Sequence, residues 1–538
     1  MGAREWRTRI ARRSTLADVG LYLLAGTLAL LLVAPLLGLL KPLLDVGGRA
    51  VELLVADSTL SVLFNSIALV ALVTVGTVLV GVPLAVLTVQ TDLPYKRFWT
   101  VVAALPLVIP SYIGAFAFIS AFGPRGELAG LLSPLGVTEL PTIYGFPGAA
   151  LVLTMYTYPY VFLTTRASLL SLDPSLVEAA RTLDCSRREA FRRVTLPRII
   201  PGISAGALLA ALYALADFGT PNFMRVSVFT QMIFAEFDSF NQGYAALLSV
   251  QLLAITAIIL YAENRIGADD DAAYQSRSAR GDTLAFSLGR WKWPALGFAA
   301  LVAVLCLVVP VAILVHLLFQ DAGYGIGAAS MAFSLEYAWN SFWVSVAAAL
   351  AASLVALPVA YLSATRDGLL ATLVERATYV GYAVPGIVLG FALIITTLNV
   401  GVVGFLYRTA PLLVFAYVVR FVPQSVGTVR SSLVQVDSGL TEAARTLGRT
   451  PLGAFRAVVV PLIAPGVAAG AALVFLTTMK ELPATLLLRP IGFETLVTYI
   501  WTVRESGYYG LAAVPALVLV GVSTLSMAVI LTQEGRHG

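Results

Sequence analysis

The sequence predicts an all-α polytopic membrane protein of about twelve transmembrane helices, arranged as two six-helix halves. Three observations carry this. Apolar residues make up 59% of the 538 residues and charged residues 12%, with a mean hydropathy of +0.87. A soluble domain carries about 25% charged residues, so lipid is the solvent for this chain. A polar, basic stretch then occurs twice, as EAARTLDCSRREAFRRVTLP over Glu178–Pro197 and EAARTLGRTPLGAFRAVVVP over Glu442–Pro461. The offset is 264 residues without a gap, and it also relates Pro159 to Pro423, Arg166 to Arg430, Asp173 to Asp437 and Pro201-Gly202 to Pro465-Gly466. Solenoid repeats run to about 20–50 residues, so this is a duplicated half-protein. Finally, Lys and Arg concentrate in alternate segments between the apolar runs.

In chain order, residues 1–14 hold five arginines, and the apolar run from about Val19 to Leu40 follows. That run exceeds a signal-peptide core and no small-residue cleavage pattern comes after it, so a retained first span is expected. Further spans are expected near 60–88, 101–122, 145–165, 200–217 and 244–262, which makes residues 1–262 the first half. Residues 263–294, with Asp269-Asp270-Asp271 and several serines and arginines, have the composition of a solvated linker. The second half, 295–538, carries spans near 295–319, 340–363, 378–398, 408–427, 464–482 and 510–532.

With the N-terminus inside, 26 of the 35 basic residues fall in inside segments, which places both termini, the linker and both repeat loops in the cytoplasm. The same distribution accounts for the net charge of +5 without nucleic acid. Cys185 and Cys306 lie far apart in different settings, so packing rather than a disulfide or metal site is expected.

The repeated loops span 166–199 and 428–463. Asp173, followed by Pro174, suits a helix start, with Ser175 and Glu178 offering a rival capping box. Asp437 opens the second copy. Ala179-Ala180 and Ala443-Ala444 present almost no side chain, so another protein surface can approach the helix backbone. Gly448 suits a helix end. Phe191 and Phe455 supply apolar anchors, and Pro197 and Pro461 mark the return to the membrane. Basic amphipathic helices resting on anionic headgroups are the bland alternative.

Glu-Ala-Ala, then Gly, Phe and Leu-Pro at these spacings resembles the EAA loop of binding-protein-dependent ABC importer permeases. Asn65-Ser66 and Asn340-Ser341, with Pro83 and Pro358 further along span two, match between the halves as well. The resemblance covers nearly the whole chain. It implies a coupling helix in each loop, with Glu178, Ala179, Ala180, Asp184 and Phe191 in one and Glu442, Ala443, Ala444, Gly448 and Phe455 in the other. Each would dock on one of two cytoplasmic ATPase subunits that bind the ATP and Mg. This chain would hold no cofactor itself. An external substrate-binding protein is the other partner, besides the bilayer. Asp184 stands where the family has Gly, so a less sharp turn is expected in the first loop.

Two further stretches, ADFGTPNFMRVSVFTQMIF over Ala216–Phe234 and KELPATLLLRPIGFETLVTYIW over Lys480–Trp501, are similar to ferric-iron importer permeases with two fused halves. Thiamine and phosphonate permeases share the architecture. Asp217 answers Glu481, and Arg225 answers Arg489. Carboxylates near an outer span end are costly unless paired or facing a water-filled path. They therefore serve either the translocation path or outer gate, or structural Asp217–Arg225 and Glu481–Arg489 pairs.

No G-x-x-x-x-G-K-[ST] loop is present, so the motor must be borrowed. C-x-x-C, H-E-x-x-H and G-x-S-x-G are absent too, and His316 and His537 alone make no catalytic or metal cluster. The expected protein is a non-catalytic permease, most consistent with ferric-iron import into the cytoplasm across the inner or plasma membrane. The rival class is a twelve-span secondary transporter. Such carriers place their basic motif between spans two and three, where this chain has only TDLPYKR.

Overall fold

The computed structural model describes residues 16–123, 143–267, 286–319, 331–366 and 368–534. The arginines of residues 1–14, Asp269 to Asp271 and His537 lie outside them. Among the described residues the regular structure is helical, with one isolated bridge between Thr91 and Phe286. The principal helices of the first half are α1 (Leu16–Val33), α2 (Asp57–Gln90), α3 (Lys96–Ala104), α4 (Ser111–Phe122), α5 (Phe146–Leu170), α6 (Pro174–Thr182), α7 (Leu196–Ala216), α8 (Gly219–Phe223), α9 (Phe229–Asp238) and α10 (Gln242–Gly267). Those of the second are α11 (Lys292–Ala303), α12 (Val309–Leu318), α13 (Leu335–Thr365), α14 (Leu369–Ala383), α15 (Gly386–Asn399), α16 (Ala410–Val434), α17 (Ser438–Thr446), α18 (Val460–Met479), α19 (Pro483–Leu488), α20 (Leu496–Glu505) and α21 (Ala513–Glu534).

Nine helices among the described residues are long and apolar enough to cross a membrane, and eleven if two bent pairs each count as one. The bent pairs are the third expected span of each half. Lys96–Val108 meets Ser111–Phe122 at 90°, and Leu369–Ala383 meets Gly386–Asn399 at 105°. Each break has a local cause. Ile109 and Val384 are extended, each preceding a proline, Pro110 and Pro385. A residue before proline is pushed out of the helical region, and proline then starts the next helix well.

Two packing units form, and they cross the sequence halves. Of the described residues, one comprises those within 16–47, 332–505 and 525–534, and the other those within 48–331 and 506–524. In the first, α1 lies against α14 and α13, and the turn Ala34–Leu39 sits on α15. A Cβ on Gly38 would stand 2.7 Å from the Ala392 carbonyl oxygen, so only glycine permits this approach. In the other unit α12 packs on α4, and the Tyr509 ring stacks on Phe116 with centroids 5.7 Å apart. The first helix of each half thus completes a unit built mainly from the other half's sequence.

Span four and span five meet closely in both halves, α5 with α7 and α16 with α18. Glycines four residues apart make the contact. A Cβ on Gly206 would lie 2.6 Å from Val161 Cα, and one on Gly470 would lie 2.9 Å from Ser425 Cα. One turn earlier, a Cβ on Gly202 would stand 3.0 Å from the Thr164 carbonyl, and one on Gly466 would stand 3.0 Å from that of Thr428. Small residues let helix backbones approach in lipid, where no hydrophobic force draws them together.

The Asn-Ser pairs have parallel duties. Asn65 Nδ2 donates to the Ser227 carbonyl at 3.1 Å, and Asn340 Nδ2 to that of Glu494 at 3.0 Å. Ser66 Oγ accepts the Phe229 amide at 3.0 Å and Ser341 Oγ that of Leu496 at 2.8 Å. Each pair pins the first turn of the second helix after span five, α9 or α20. These hydroxyls satisfy orphan amides that lipid would leave bare.

Beyond α2, Asp92 holds the end of the linker. Its carboxylate accepts the Leu288 amide at 2.8 Å and pairs with Lys292 at 3.0 Å. The Leu288 amide, with Lys292, sets the Asp92 carboxyl below its ordinary range. A depressed carboxylate stabilises the fold above its unfolded pKa and loses that contribution as pH falls through the folded value, so this tie is intact at neutral pH.

Replacing Gly206 or Gly470 by Leu should separate spans four and five. Overpacking of this kind costs about 1–3 kcal/mol or more. The expected result is a lower unfolding temperature and a lower yield of monodisperse protein in detergent. Replacing the exposed Gly297 by Leu, where an added Cβ would meet no other part of the protein within 4 Å, should leave both unchanged.

Candidate functional site

The two repeat loops are built alike. Asp173 Oδ1 accepts the Ser175 amide and Asp437 Oδ1 the Gly439 amide, both at 2.9 Å, so each aspartate is the N-cap of its helix, α6 or α17. The Ser175–Glu178 box is not the start used. Because Asp173 accepts the Ser175 amide, its carboxyl lies below the ordinary range.

Both helices end in the same turn. Asp184 has φ 60° and Gly448 φ 87°, both left-handed. The Cys185 amide reaches back to the Ala180 carbonyl at 3.2 Å, and the Arg449 amide to that of Ala444 at 3.1 Å. These are the long bonds of a Schellman ending, and in the second loop Gly448 N to Arg445 O, at 3.0 Å, adds the inner one. The expectation of a blunter first turn is therefore corrected. Aspartate is among the few non-glycine residues that enter the left-handed region readily.

Glu178, Ala179, Glu442 and Ala443 are exposed, while Ala180 and Ala444 are half-buried. Sequence reasoning passed over Leu183 and Leu447, which cap the C-termini of these helices and are 79% and 85% exposed. In a lipid-facing helix such exposure is ordinary, but here it sits in a polar, basic loop. The signal was available, since both leucines fall on the 264-residue register. The phenylalanines sit where each loop returns to the bundle. Phe191 and Phe455 are half-buried, and the Phe455 ring packs edge-on against Tyr361 at 5.4 Å. That contact anchors the second loop to the protein's own bundle. Each phenylalanine also opens a π-helical turn, Phe191–Thr195 or Phe455–Val459, that feeds span five. In the first loop, Ser186 and Glu189 form a capping box, with the Ser186 amide donating to Glu189 at 3.0 Å and the Glu189 amide to Ser186 Oγ at 3.3 Å.

At the opposite end of span five, the pairs proposed from sequence are not those formed. Glu481 is buried and pairs with Arg420, Nε to Oε2 at 3.5 Å, while Arg489 pairs with Glu494. Asp217 accepts the Ser111 hydroxyl at 2.8 Å and the Thr220 amide at 2.9 Å. The Arg225 guanidinium lies over the Tyr144 ring, 5.0 Å from its centroid. Ser111 comes from span three and Arg420 from span four, partners of the two carboxylates that no sequence offset could reveal. Among the described residues no cluster of three or more His, Cys, Asp or Glu side chains forms a metal site.

The family model for binding-protein-dependent transport system inner membrane components matches residues 77–263 and again 356–536. The chain belongs to this family. Its matched segments contain both loops, so it is a permease of an ABC importer with its two halves fused, a multi-pass membrane subunit that is itself non-catalytic and works with a binding protein. The chain is 31% identical to the Fe(3+)-transport system permease protein FbpB 2 of Haemophilus influenzae, over 93% of this chain and 95% of that protein. It is 24% identical to the ferric transport system permease protein FbpB of Actinobacillus pleuropneumoniae, over 90% and 72%. Among solved structures, a bacterial alginate ABC transporter in complex with its alginate-bound periplasmic protein shares 17% identity and covers 44% of this chain and 88% of that one, with a TM-score of 0.36. The family match sets aside the secondary-transporter alternative.

Gly448 offers a test of the loop geometry. A left-handed conformation costs an ordinary L-residue roughly 1–2 kcal/mol. Gly448→Val should therefore speed amide hydrogen exchange across 438–449, whereas Gly448→Asn should leave it near the native rate.

Proposed function

We propose that this permease carries ferric iron, delivered by an external binding protein, into the cytoplasm across the inner or plasma membrane, driven by two ATPase subunits. The observation that supports the coupling part is the pair of matched loop helices. Each presents an exposed glutamate, two alanines and a protruding leucine on a capped, sharply terminated helix. The iron assignment is supported by a relative named for Fe(3+) transport that is 31% identical across nearly the full length. The bias of Lys and Arg supports cytoplasmic termini and loops. Residues 1–262 and 295–538 then act as the two permease halves, joined by the linker.

The chemistry is one of coupled equilibria. Cargo crosses when the permease exchanges outward and inward access, and ATP shifts that exchange only through contacts that differ between the two states. Glu178 and Glu442 offer charge to a basic groove on each ATPase. Ala179 and Ala443 allow close approach, and Leu183 and Leu447 give each contact an apolar knob. Because α6 and α17 join spans packed glycine to backbone, a push on either helix is delivered to two spans together.

Reconstituted with its ATPase and candidate binding proteins, the complex should hydrolyse ATP faster with an iron-loaded binding protein than with one loaded with thiamine or a phosphonate. A reversed preference would reassign the cargo.

Glu178→Lys and Glu442→Lys should each weaken ATPase co-purification, since losing one partner of a buried charged contact costs about 2–5 kcal/mol. Leu183→Asp and Leu447→Asp should act likewise, because burying a leucine contributes about 1.5–3 kcal/mol. Unfolding temperatures should hold in all four. Normal association and uptake in every variant would sink the coupling role.

A further inference from the structure

The two outer carboxylates sit at the same joint. Asp217 ends α7, and its second oxygen accepts the Thr220 amide at 2.9 Å. Glu481 follows α18, and one of its oxygens accepts the Ala484 amide at 3.1 Å. The main-chain oxygens are held too, by the hydroxyls of Thr230 and Thr485. Each carboxylate therefore organises the turn after span five. The other Asp217 oxygen reaches the bend in span three, whereas the other Glu481 oxygen pairs with Arg420 of span four beside that bend, so the chemistry of the halves diverges here.

In the first half the arm beyond the bend begins with Ser111, whose hydroxyl donates to Asp217 at 2.8 Å and lies 3.2 Å from the Tyr213 hydroxyl. In the second half the corresponding arm begins with Gly386. Both residues follow a proline N-cap with nearly the same backbone, Pro110 at φ −57°, ψ 136° and Pro385 at φ −56°, ψ 139°. A Cβ on Gly386 would collide with Arg420 Nη1 and Glu481 Oε1. The missing side chain is the space into which the Arg420 guanidinium fits. At the register position of Arg420, the first half carries Tyr156.

We infer that Asp217 and Glu481 are latches that hold the inner end of the bent third span against the end of span five, and that Ser111, Gly386 and Arg420 set the strength of each latch. One latch is a neutral hydroxyl on a carboxylate and the other is an ion pair. This rests on the permease reading above and adds positioning residues to it. The span-three arms diverge by 90° and 105° across an extended residue and the extended proline after it, so few main-chain bonds hold the bend. A buried ion pair is poor at adding net stability, because desolvation offsets attraction, and its best attested use is to specify one arrangement over another. Arg420 does that here. It pairs span four with span five while its guanidinium packs against Gly386 at the bend of span three, where Glu481 would otherwise lack a charged partner.

The experiment takes the full chain, alone in detergent and reconstituted with its ATPase and an iron-loaded binding protein. Arg420→Met should raise amide exchange over residues 389–393 by about tenfold, with residues 113–117 unchanged. Maximal uptake should fall by about tenfold while the half-saturating concentration of loaded binding protein stays constant. The triple change Gly386→Ser, Arg420→Tyr and Glu481→Asp installs the first-half chemistry and should restore both readouts in large part. Glu481→Gln, which keeps the shape, should follow Arg420→Met. A raised half-saturation with native exchange would place Glu481 on the cargo path instead and overturn the latch. Native values in both readouts would overturn it as well. If the native complex shows no ATP-driven uptake, the function reading fails, while the exchange measurement still decides the latch.

Discussion

The approach of span five to span four at paired glycines is the contact on which the rest depends. Gly202 and Gly206 in one half, and Gly466 and Gly470 in the other, leave no room for even a Cβ against the facing backbone. In lipid, helices gain nothing from burying apolar surface against each other, so contact area and close fit hold them. Placing that fit beside the repeated loop gives the loop helix, α6 or α17, a stiff base. A loop standing on two independent spans would yield to a push. Standing on two spans packed glycine to backbone, it has the stiffness that the proposed coupling requires.

The other end of span five is organised by charge. In water a lone carboxylate is inexpensive, but near the membrane core it needs partners. Asp217 and Glu481 each find main-chain amides in the turn that follows, plus one partner from another span. Span five therefore runs from the repeated loop to the neighbourhood of the bend in span three. The duplicated halves keep this layout and vary its chemistry, with Ser111 and Tyr156 in one and Gly386 and Arg420 in the other. Duplication of the half-protein allows such divergence, because each copy can change without altering its counterpart.

Much of the loop was legible in advance. Asp173 and Asp437 as caps, Gly448 as a terminator and the exposed Glu-Ala pairs all follow from local rules that act within a few residues. Where local reasoning failed, a second solution existed to the same local problem. Asp184 enters the left-handed region as Gly448 does, so a substitution that reads as a change of shape preserves it. Phe455 could not be assigned to partner or bundle from sequence, since an aromatic after a polar helix suits both. Its contact with Tyr361 decides for the bundle.

By itself the sequence determined the membrane class, the two-fold duplication, the position of both loops and the placement of carboxylates at the end of span five. These depend on composition, periodicity and register, which are properties of a line of residues. Only the tertiary structure decided which charges meet, that the first helix of each half packs in a unit drawn mainly from the other half's sequence, and that the third spans are bent. Arg420 reaches Glu481 from 61 positions away in the chain, through a gap that exists because Gly386 has no side chain. Partners of that kind are selected by space and burial, and neither is written in the order of the residues.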